Sequence, residues 1–122
     1  MTVLVVEDEP QLLTMLANFL EQEGFAVITA GCGSQAISQY RSHPEIDLLI
    51  TDILMPGMDG ASLAAALQSD NPDLPVLLIS GACDAKQIDN GFAFLPKPFS
   101  FGDLLAKVRT LTQAQTVACL TA

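Results

Sequence analysis

Short apolar runs alternate along the chain with segments whose apolar residues recur at helical spacing. Five largely apolar runs have the length of a β-strand: Thr2–Val6, Phe25–Thr29, Asp47–Thr51, Val76–Ser80 and Phe92–Leu95. Runs of this kind are typical of strands that are buried on both faces of a parallel sheet. The pattern therefore predicts five buried strands.

The segments between these runs carry helix signals. Pro10 suits a first helical turn, and Gly24 provides a stop after a leucine-rich stretch. Ser34 is placed to cap a short second helix, and Ala61–Gln68 is rich in alanine and leucine. A last helix follows from Phe101. Strands that alternate with helices predict an α/β doubly wound domain around a parallel sheet.

The segment between the fourth and fifth strands is short. Residues 81–91 must contain the whole crossover, and Ile88 is their one strongly apolar side chain. A helix that runs back along a strand of about 17 Å needs roughly 11 residues of its own, which leaves none for the turns. We therefore expect a shortened or missing fourth helix, reduced to a single turn or replaced by a partly extended crossover.

Polar residues follow the strands at their carboxyl ends, where ligand sites of doubly wound sheets lie. Glu7 and Asp8 follow the first strand, Asp52 the third and Lys97 the fifth, and Ser80 ends the fourth. Each residue alone has an ordinary structural explanation. Together, three carboxylates would repel one another unless cations neutralise them, and Mg²⁺ and an ammonium group are the two remedies that fit. Such a site suits phosphoryl transfer, with an aspartate oxygen as the nucleophile.

Composition narrows the class of protein. A length of 122 residues fits one domain, and a net charge of −9 argues against direct binding to nucleic acid. No apolar run approaches the roughly 18–20 residues of a membrane span. The opening stretch MTVLVVEDE has no basic region typical of a signal peptide. We therefore expect a cytoplasmic domain that makes no membrane contact.

Four motifs in order, VLVVEDE, DLLITDILMPGMDG, PVLLISG and FLPKPF, resemble those of receiver domains (response-regulator, CheY-like) of bacterial two-component signalling. The resemblance covers about residues 2–112. It implies a flavodoxin-like strand order 2-1-3-4-5 and a receiver domain over residues 1–112. Residues 113–122 are expected to form a helix extension or a linker tail.

The resemblance also implies a role for each site residue. Asp52 matches the phosphoacceptor, and Glu7 and Asp8 match the acidic pair that binds Mg²⁺ together with Asp52. The main-chain carbonyl of Leu54 matches a further metal ligand. The expected donor is a histidine kinase or a histidine phosphotransfer protein.

Four further positions match the switching apparatus of such domains. Ser80 resembles the residue that hydrogen-bonds the phosphoryl group, and Lys97 resembles the lysine that forms its salt bridge. Pro98 matches a proline that follows a cis peptide bond. Phe94 occupies the position of the switch aromatic, where tyrosine is more frequent, so its inward state would depend on burial alone.

Two departures from the pattern change the expected behaviour. Leu54 is apolar where a polar side chain would orient a hydrolytic water, which predicts a long-lived aspartyl-phosphate. In such domains the fourth helix belongs to the output and dimerisation face. Its predicted reduction argues against a standard dimer through that face.

Two other functions stay open at this point. A Mg²⁺-dependent phosphatase that works through an aspartyl-phosphate would want a second acidic residue soon after the nucleophile, and Ile53–Leu54 offers none. A pseudo-receiver would use the same fold for binding without phosphorylation, and the complete set of five site residues argues against it. The domain is expected to be either a stand-alone receiver or part of a larger chain such as a hybrid histidine kinase. The short crossover and the tail favour the second.

Overall fold

The computed structural model of the protein describes residues 1–55, 57–80 and 92–121, without the side chains of Ser80 and residues 113–121. The strands are β1 (Thr2–Val6), β2 (Ala26–Ala30), β3 (Leu48–Asp52), β4 (Val76–Ser80) and β5 (Ala93–Pro96). The helices in these ranges are α1 (Pro10–Gln22), α2 (Gly33–Ser42), α3 (Gly60–Asp70) and α4 (Phe101–Thr121).

The five strands form one parallel sheet in the order β2-β1-β3-β4-β5, which confirms the predicted fold class and strand order. The register aligns the carboxyl ends of the three central strands with one another. Val6 lies beside Thr51, and Asp52 lies beside Ile79. Residues that follow β1, β3 and β5 therefore meet along one edge of the sheet.

Helices cover both faces of the sheet, and the strands are apolar for this reason. Leu4 and Leu78 are buried on the face that α2 and α3 cover. Val5 and Ile50 are buried on the face that α1 and α4 cover. Each fully buried aliphatic side chain stabilises the fold by about 2 kcal/mol. This two-sided core fixes the strand ends relative to one another.

Three of the predicted strands have wrong bounds. β2, β3 and β5 each begin and end one residue later along the chain than predicted. The N–H of Phe25 donates a hydrogen bond to the carbonyl of Leu20 at the end of α1, 3.1 Å away, so Phe25 belongs to the turn. Gly24 permits this turn with a φ of 97°. The shift also brings Asp52 inside β3 as its last residue.

The predicted cap of the second helix is also wrong. The helix begins at Gly33, and Cys32, whose side chain makes no capping hydrogen bond, occupies the cap position in place of Ser34. The Gln35 side chain instead accepts a hydrogen bond from the N–H of Gly31 at 2.6 Å. A side chain one turn into the helix thus satisfies a main-chain donor ahead of it.

Two of the sequence predictions stay untested by the described residues. Residues 81–91, the segment of the predicted short fourth helix, lie outside the described residues, so that prediction stays a prediction. The division between residues 1–112 and 113–122 falls within α4 and likewise stays a prediction. Among the described residues, no helix is long and apolar enough to cross a membrane.

Candidate functional site

Three carboxylates meet at the edge of the sheet where β1 and β3 end. Oxygen atoms of Glu7, Asp8 and Asp52 all lie within 4.8 Å of one another. Glu7 and Asp52 are 4% and 8% exposed, whereas Asp8 faces solvent. The main chain of Glu7 extends the β1 ladder, because its N–H donates to the carbonyl of Ala30 at 3.1 Å. The site thus has two buried acids and one that is open to water.

Lys97 points into this cluster. Its Nζ lies 2.8 Å from Oδ2 of Asp52 and 3.8 Å from Oε1 of Glu7, and its side chain is 30% exposed. Burial by itself lowers the pKa of Lys97, but the hydrogen bond and charge of Asp52, assisted by Glu7 and Asp8, outweigh burial and raise that pKa above its usual value. Lys97 is therefore a charged partner of Asp52. The peptide bond between Lys97 and Pro98 is cis.

One ammonium group does not neutralise three carboxylates, and the shortage of positive charge contributes to a raised pKa of Glu7. Burial raises the pKa of Glu7 to about 7, and the hydrogen bond and negative charge of Asp52 act in the same direction. Lys97 opposes this rise only in part. A cluster of carboxylate oxygens that is short of positive charge fits a hard divalent cation such as Mg²⁺. Glu7, Asp8 and Asp52 are the residues that would hold it.

The raised pKa of Glu7 makes stability depend on pH when no divalent cation is present. Its folded-state pKa of about 7 lies above the ordinary value of 4.5, so between these values the folded chain binds more protons than the unfolded chain. This contribution to stability is present below pH 4.5 and is lost as the pH rises through about 7. We expect Glu7→Gln to lack this loss.

Thermal melts in a chelating buffer at about pH 5 and about pH 8 would measure the difference in Tm between Glu7→Gln and the wild type. The difference should shift in favour of the variant at the higher pH. The exposed Glu21→Gln on α1 serves as the matched control. A Glu7→Gln difference that is the same at both pH values would contradict the assignment.

The other oxygen of Asp52 is held by its own loop. The N–H of Leu54 donates to Oδ1 of Asp52 at 3.2 Å, and the N–H of Ile53 continues the ladder to the carbonyl of Ile79 at 3.0 Å. Asp52 is thus oriented from two sides, by Lys97 and by main chain. Leu54 itself is 62% exposed. That its carbonyl is a metal ligand stays a prediction.

The predicted switch residues lie on β4 and β5. Ser80 ends β4 beside Pro96 of β5, and its side chain lies outside the described set. Phe94 is half-buried and packs against the core cluster that includes Leu78, its neighbour in the sheet. The structure thus brings Glu7, Asp8, Asp52 and Lys97 together. The switching roles of Ser80 and Phe94 stay predictions.

Sequence reasoning missed Asp59 and Gly60, because it treated the stretch ILMPGMDG only as a loop. Oδ1 of Asp59 accepts a hydrogen bond from the N–H of Ser62 at 2.7 Å and caps α3. Gly60, the first residue of α3, lies directly against the main chain of Asp52. An aspartate before an alanine- and leucine-rich segment was an available signal for the helix start.

Residues 3–109 match the family described as the response regulator receiver domain. The chain belongs to this family. Receiver domains are phosphoacceptor modules of two-component signalling, and the acidic cluster of this receiver domain agrees with that activity.

Two named relatives are longer than this chain. It is 39% identical over 116 residues to the probable transcriptional regulatory protein TcrX of Mycobacterium tuberculosis, covering 90% of this chain and 49% of the relative. It is 33% identical over 120 residues to the sensor kinase CckA of Brucella abortus, covering 93% of this chain and 13% of the relative. The chain thus spans half or less of these two relatives.

A solved structure has the same fold. The response regulator TrrA of Thermotoga maritima, solved in complex with Mg²⁺ and BeF, is 31% identical to this receiver domain. The two superpose with a TM-score of 0.82 over 90% of this chain and 97% of the other.

Proposed function

We propose that this receiver domain accepts a phosphoryl group on Asp52 from a histidine kinase or a histidine phosphotransfer protein, with Mg²⁺ bound by Glu7, Asp8 and Asp52. The observation that carries the proposal is the position of Asp52. Its carboxylate is paired with Lys97 at 2.8 Å and lies within 4.8 Å of two further acids. The Mg²⁺ and BeF complex of the similar TrrA supports the same chemistry.

The geometry suits an in-line transfer. A carboxylate oxygen of Asp52 forms the new bond to phosphorus, the bond from phosphorus to the histidine nitrogen breaks, and its electron pair stays on the imidazole. The Lys97 ammonium lies where negative charge accumulates on the phosphoryl oxygens and stabilises it. Bound Mg²⁺ would neutralise further charge on those oxygens. The protein acts as a reactant that assists its own phosphorylation.

A direct experiment tests the proposal. The purified chain is incubated with Mg²⁺ and a small phosphodonor such as acetyl phosphate, and its intact mass is measured over time. A single-phosphate adduct that depends on Mg²⁺ supports the proposal. Absence of any adduct favours a pseudo-receiver, and continuous turnover of the donor without a lasting adduct favours a phosphatase.

An apolar groove beside Lys97 offers a contact surface for the phosphodonor protein. It is lined by Lys97, by Leu12 and Met15 of α1, and by Pro98 to Phe101, and it encloses about 630 Å³. Met15 is 53% exposed. A donor that reaches Asp52 past Lys97 would cover this groove and bury its apolar wall.

Replacing Met15 with glutamate separates protein contact from chemistry. We expect phosphoryl transfer to the variant to be about tenfold slower than to the wild type when a phosphorylated histidine kinase is the donor. Changing a residue that becomes buried at the centre of an interface costs over 1 kcal/mol. Phosphorylation by acetyl phosphate should not change. The control is Asn18→Glu, which adds the same charge at an exposed position of α1 outside the groove lining. Equal transfer from the kinase to variant and wild type would refute this contact.

Leu54 should set the lifetime of the aspartyl-phosphate. It follows Asp52 by two residues, and its exposed apolar side chain offers no hydrogen bond to an attacking water. We expect Leu54→Asn to dephosphorylate roughly tenfold or more faster, since an oriented polar group assists the attack of water. Loss of the adduct is followed by intact mass after the donor is removed. Leu54→Val is the control, and an unchanged or slower rate in Leu54→Asn contradicts the hypothesis.

The proposal also covers the partners of the domain, its tail and its place in a longer chain. A net charge of −9 supports a domain that does not bind nucleic acid directly. The continuation of α4 to Thr121 supports a helix extension in residues 113–122. The likeness to part of CckA, a sensor kinase, supports a place within a longer signalling chain. A dimer through the fourth-helix face is not expected.

A further inference from the structure

The first turn of α3 packs directly on the main chain of the proposed phosphoacceptor. The N–H of Gly60 donates to the carbonyl of Ile53 at 2.8 Å. A Cβ atom at position 60 would overlap the carbonyl oxygen of Asp52 and lie 2.9 Å from its carbonyl carbon and 3.0 Å from Cα of Ile53. These neighbours are main-chain atoms, so no side-chain rotation can relieve the overlap. Only glycine fits while the strand end and the helix keep their positions.

Space, and not backbone conformation, accounts for this glycine. The glycines with positive φ in the described ranges are Gly24 and Gly57, so Gly60 has a φ that any residue can adopt. Glycine within a helix costs about 1 kcal/mol relative to alanine. Glycine occurs here despite this cost because the helix approaches the main chain of Asp52 too closely for any side chain. Asp59 fixes the same turn, because its side chain caps α3 through the N–H of Ser62.

The contacted main chain is also the segment that orients the reactive carboxylate. The peptide that joins Asp52 to Ile53 carries the carbonyl against which Gly60 packs. The next N–H, that of Leu54, donates to Oδ1 of Asp52. A displacement of this peptide would therefore change the direction of the carboxylate and its separation from Lys97. Misplacing reacting groups by about 1 Å can slow a reaction by about 100-fold.

We propose that Gly60 is a positioning residue for phosphorylation. By letting α3 rest on the Asp52 peptide, it holds the Asp52 carboxylate beside Lys97 and the neighbouring acids. This inference rests on the proposed function, in which Asp52 is the acceptor. It assigns a role in the chemistry to the point where α3 meets β3.

Gly60→Ala tests the role through two independent readouts. Isothermal titration with Mg²⁺ measures cation affinity, and intact mass with acetyl phosphate measures the rate of phosphorylation. We expect weaker Mg²⁺ binding and a rate lower by about tenfold or more, as misplacement of the acceptor requires. The Leu54 amide signal in a nitrogen–proton NMR spectrum should shift as well. All measurements are made at a temperature where thermal melts show the variants folded.

Two controls separate positioning from general loss of stability. Leu67→Ala opens a cavity at a buried position in the same helix and should lower Tm without changing Mg²⁺ affinity or rate. Gly102→Ala adds a methyl group to the first turn of α4, where its nearest contact is an ordinary 3.6 Å, and should change neither readout. If Gly60→Ala binds Mg²⁺ and is phosphorylated like the wild type, the inference is wrong. A wild type that takes up no phosphoryl group would instead overturn the proposed function.

A second pair of variants decides the matter if Gly60→Ala does not fold. Asp59→Ala removes the cap that fixes the first turn of α3, whereas Asp59→Asn keeps a capping oxygen and removes the charge. Slower phosphorylation in Asp59→Ala together with a normal rate in Asp59→Asn supports the positioning role. Equal rates in the two variants, whether normal or slow, overturn it.

Discussion

Asp52→Asn is expected to abolish the single-phosphate adduct that the wild type forms with Mg²⁺ and acetyl phosphate. An amide oxygen is a weak nucleophile and cannot form the acyl phosphate, while the shape of the side chain is retained. Asp52 is 8% exposed and lies where three carboxylates and one ammonium group converge. Among the aspartates of the described residues, Asp52 is the one that forms an ion pair with Lys97.

The same substitution should leave the fold intact. Burial is the main reason that the pKa of Glu7 is raised, and the substitution removes the Asp52 charge that adds to this rise. Lys97 keeps Glu7 as a charged neighbour at 3.8 Å. We therefore expect a Tm close to that of the wild type in magnesium-free buffer.

Intact mass spectrometry after incubation with the donor is the measurement, and peptide mapping after reduction with borohydride locates the modified residue. Asp70→Asn changes an exposed aspartate at the end of α3 and should keep the full adduct. An adduct that persists in folded Asp52→Asn would assign the acceptor elsewhere.

Lys97→Ala is expected to slow phosphorylation by about 10²- to 10³-fold, the effect of removing one group that stabilises charge in a transition state. Nζ of Lys97 is the cationic group that the described structure places within 4 Å of Asp52. Without it, negative charge on the phosphoryl oxygens would meet only the metal ion. The fold should persist, because the strands and helices pack through two apolar clusters that do not include Lys97.

The Mg²⁺ affinity of this variant should not fall together with its rate of phosphorylation. Lys97 and a divalent cation compete for the same carboxylate oxygens, so Lys97→Ala should bind Mg²⁺ at least as tightly as the wild type. Titration calorimetry measures the affinity, and Lys107→Ala, an exposed lysine of α4, is the control. A variant with a normal rate would show that Lys97 plays no part in the transfer. A variant with weakened Mg²⁺ binding would show that it supports the site in another way.

Much of the fold was predictable because buried parallel strands have a local signature. A strand covered on both faces is apolar at successive positions, and β1 and β4 carry that signature with the predicted bounds. The boundaries of β2, β3 and β5 were shifted by one residue, because main-chain hydrogen bonds such as that from Phe25 to Leu20 decide where a strand begins. Apolar periodicity does not report those bonds.

The candidate site was predictable in its members but not in its geometry. In a parallel sheet the residues after the strands share one edge, so Glu7, Asp8, Asp52 and Lys97 could be grouped from the sequence. An inward Lys97 was expected only from its match to the receiver motif and from the acids at the same edge, because a lysine in an apolar stretch by itself commonly extends to water. Its contact with Asp52 joins residues that are 45 positions apart.

The sequence by itself determined the strand-and-helix alternation and the acidic and basic residues at the strand ends, because these depend on local composition and spacing. The tertiary structure alone decided how close Lys97 comes to Asp52 and Glu7, that burial raises the pKa of Glu7, and that Gly60 must lack a side chain. Each of these depends on distances between separate segments. The packing of α3, β3 and β5 around Asp52 sets those distances.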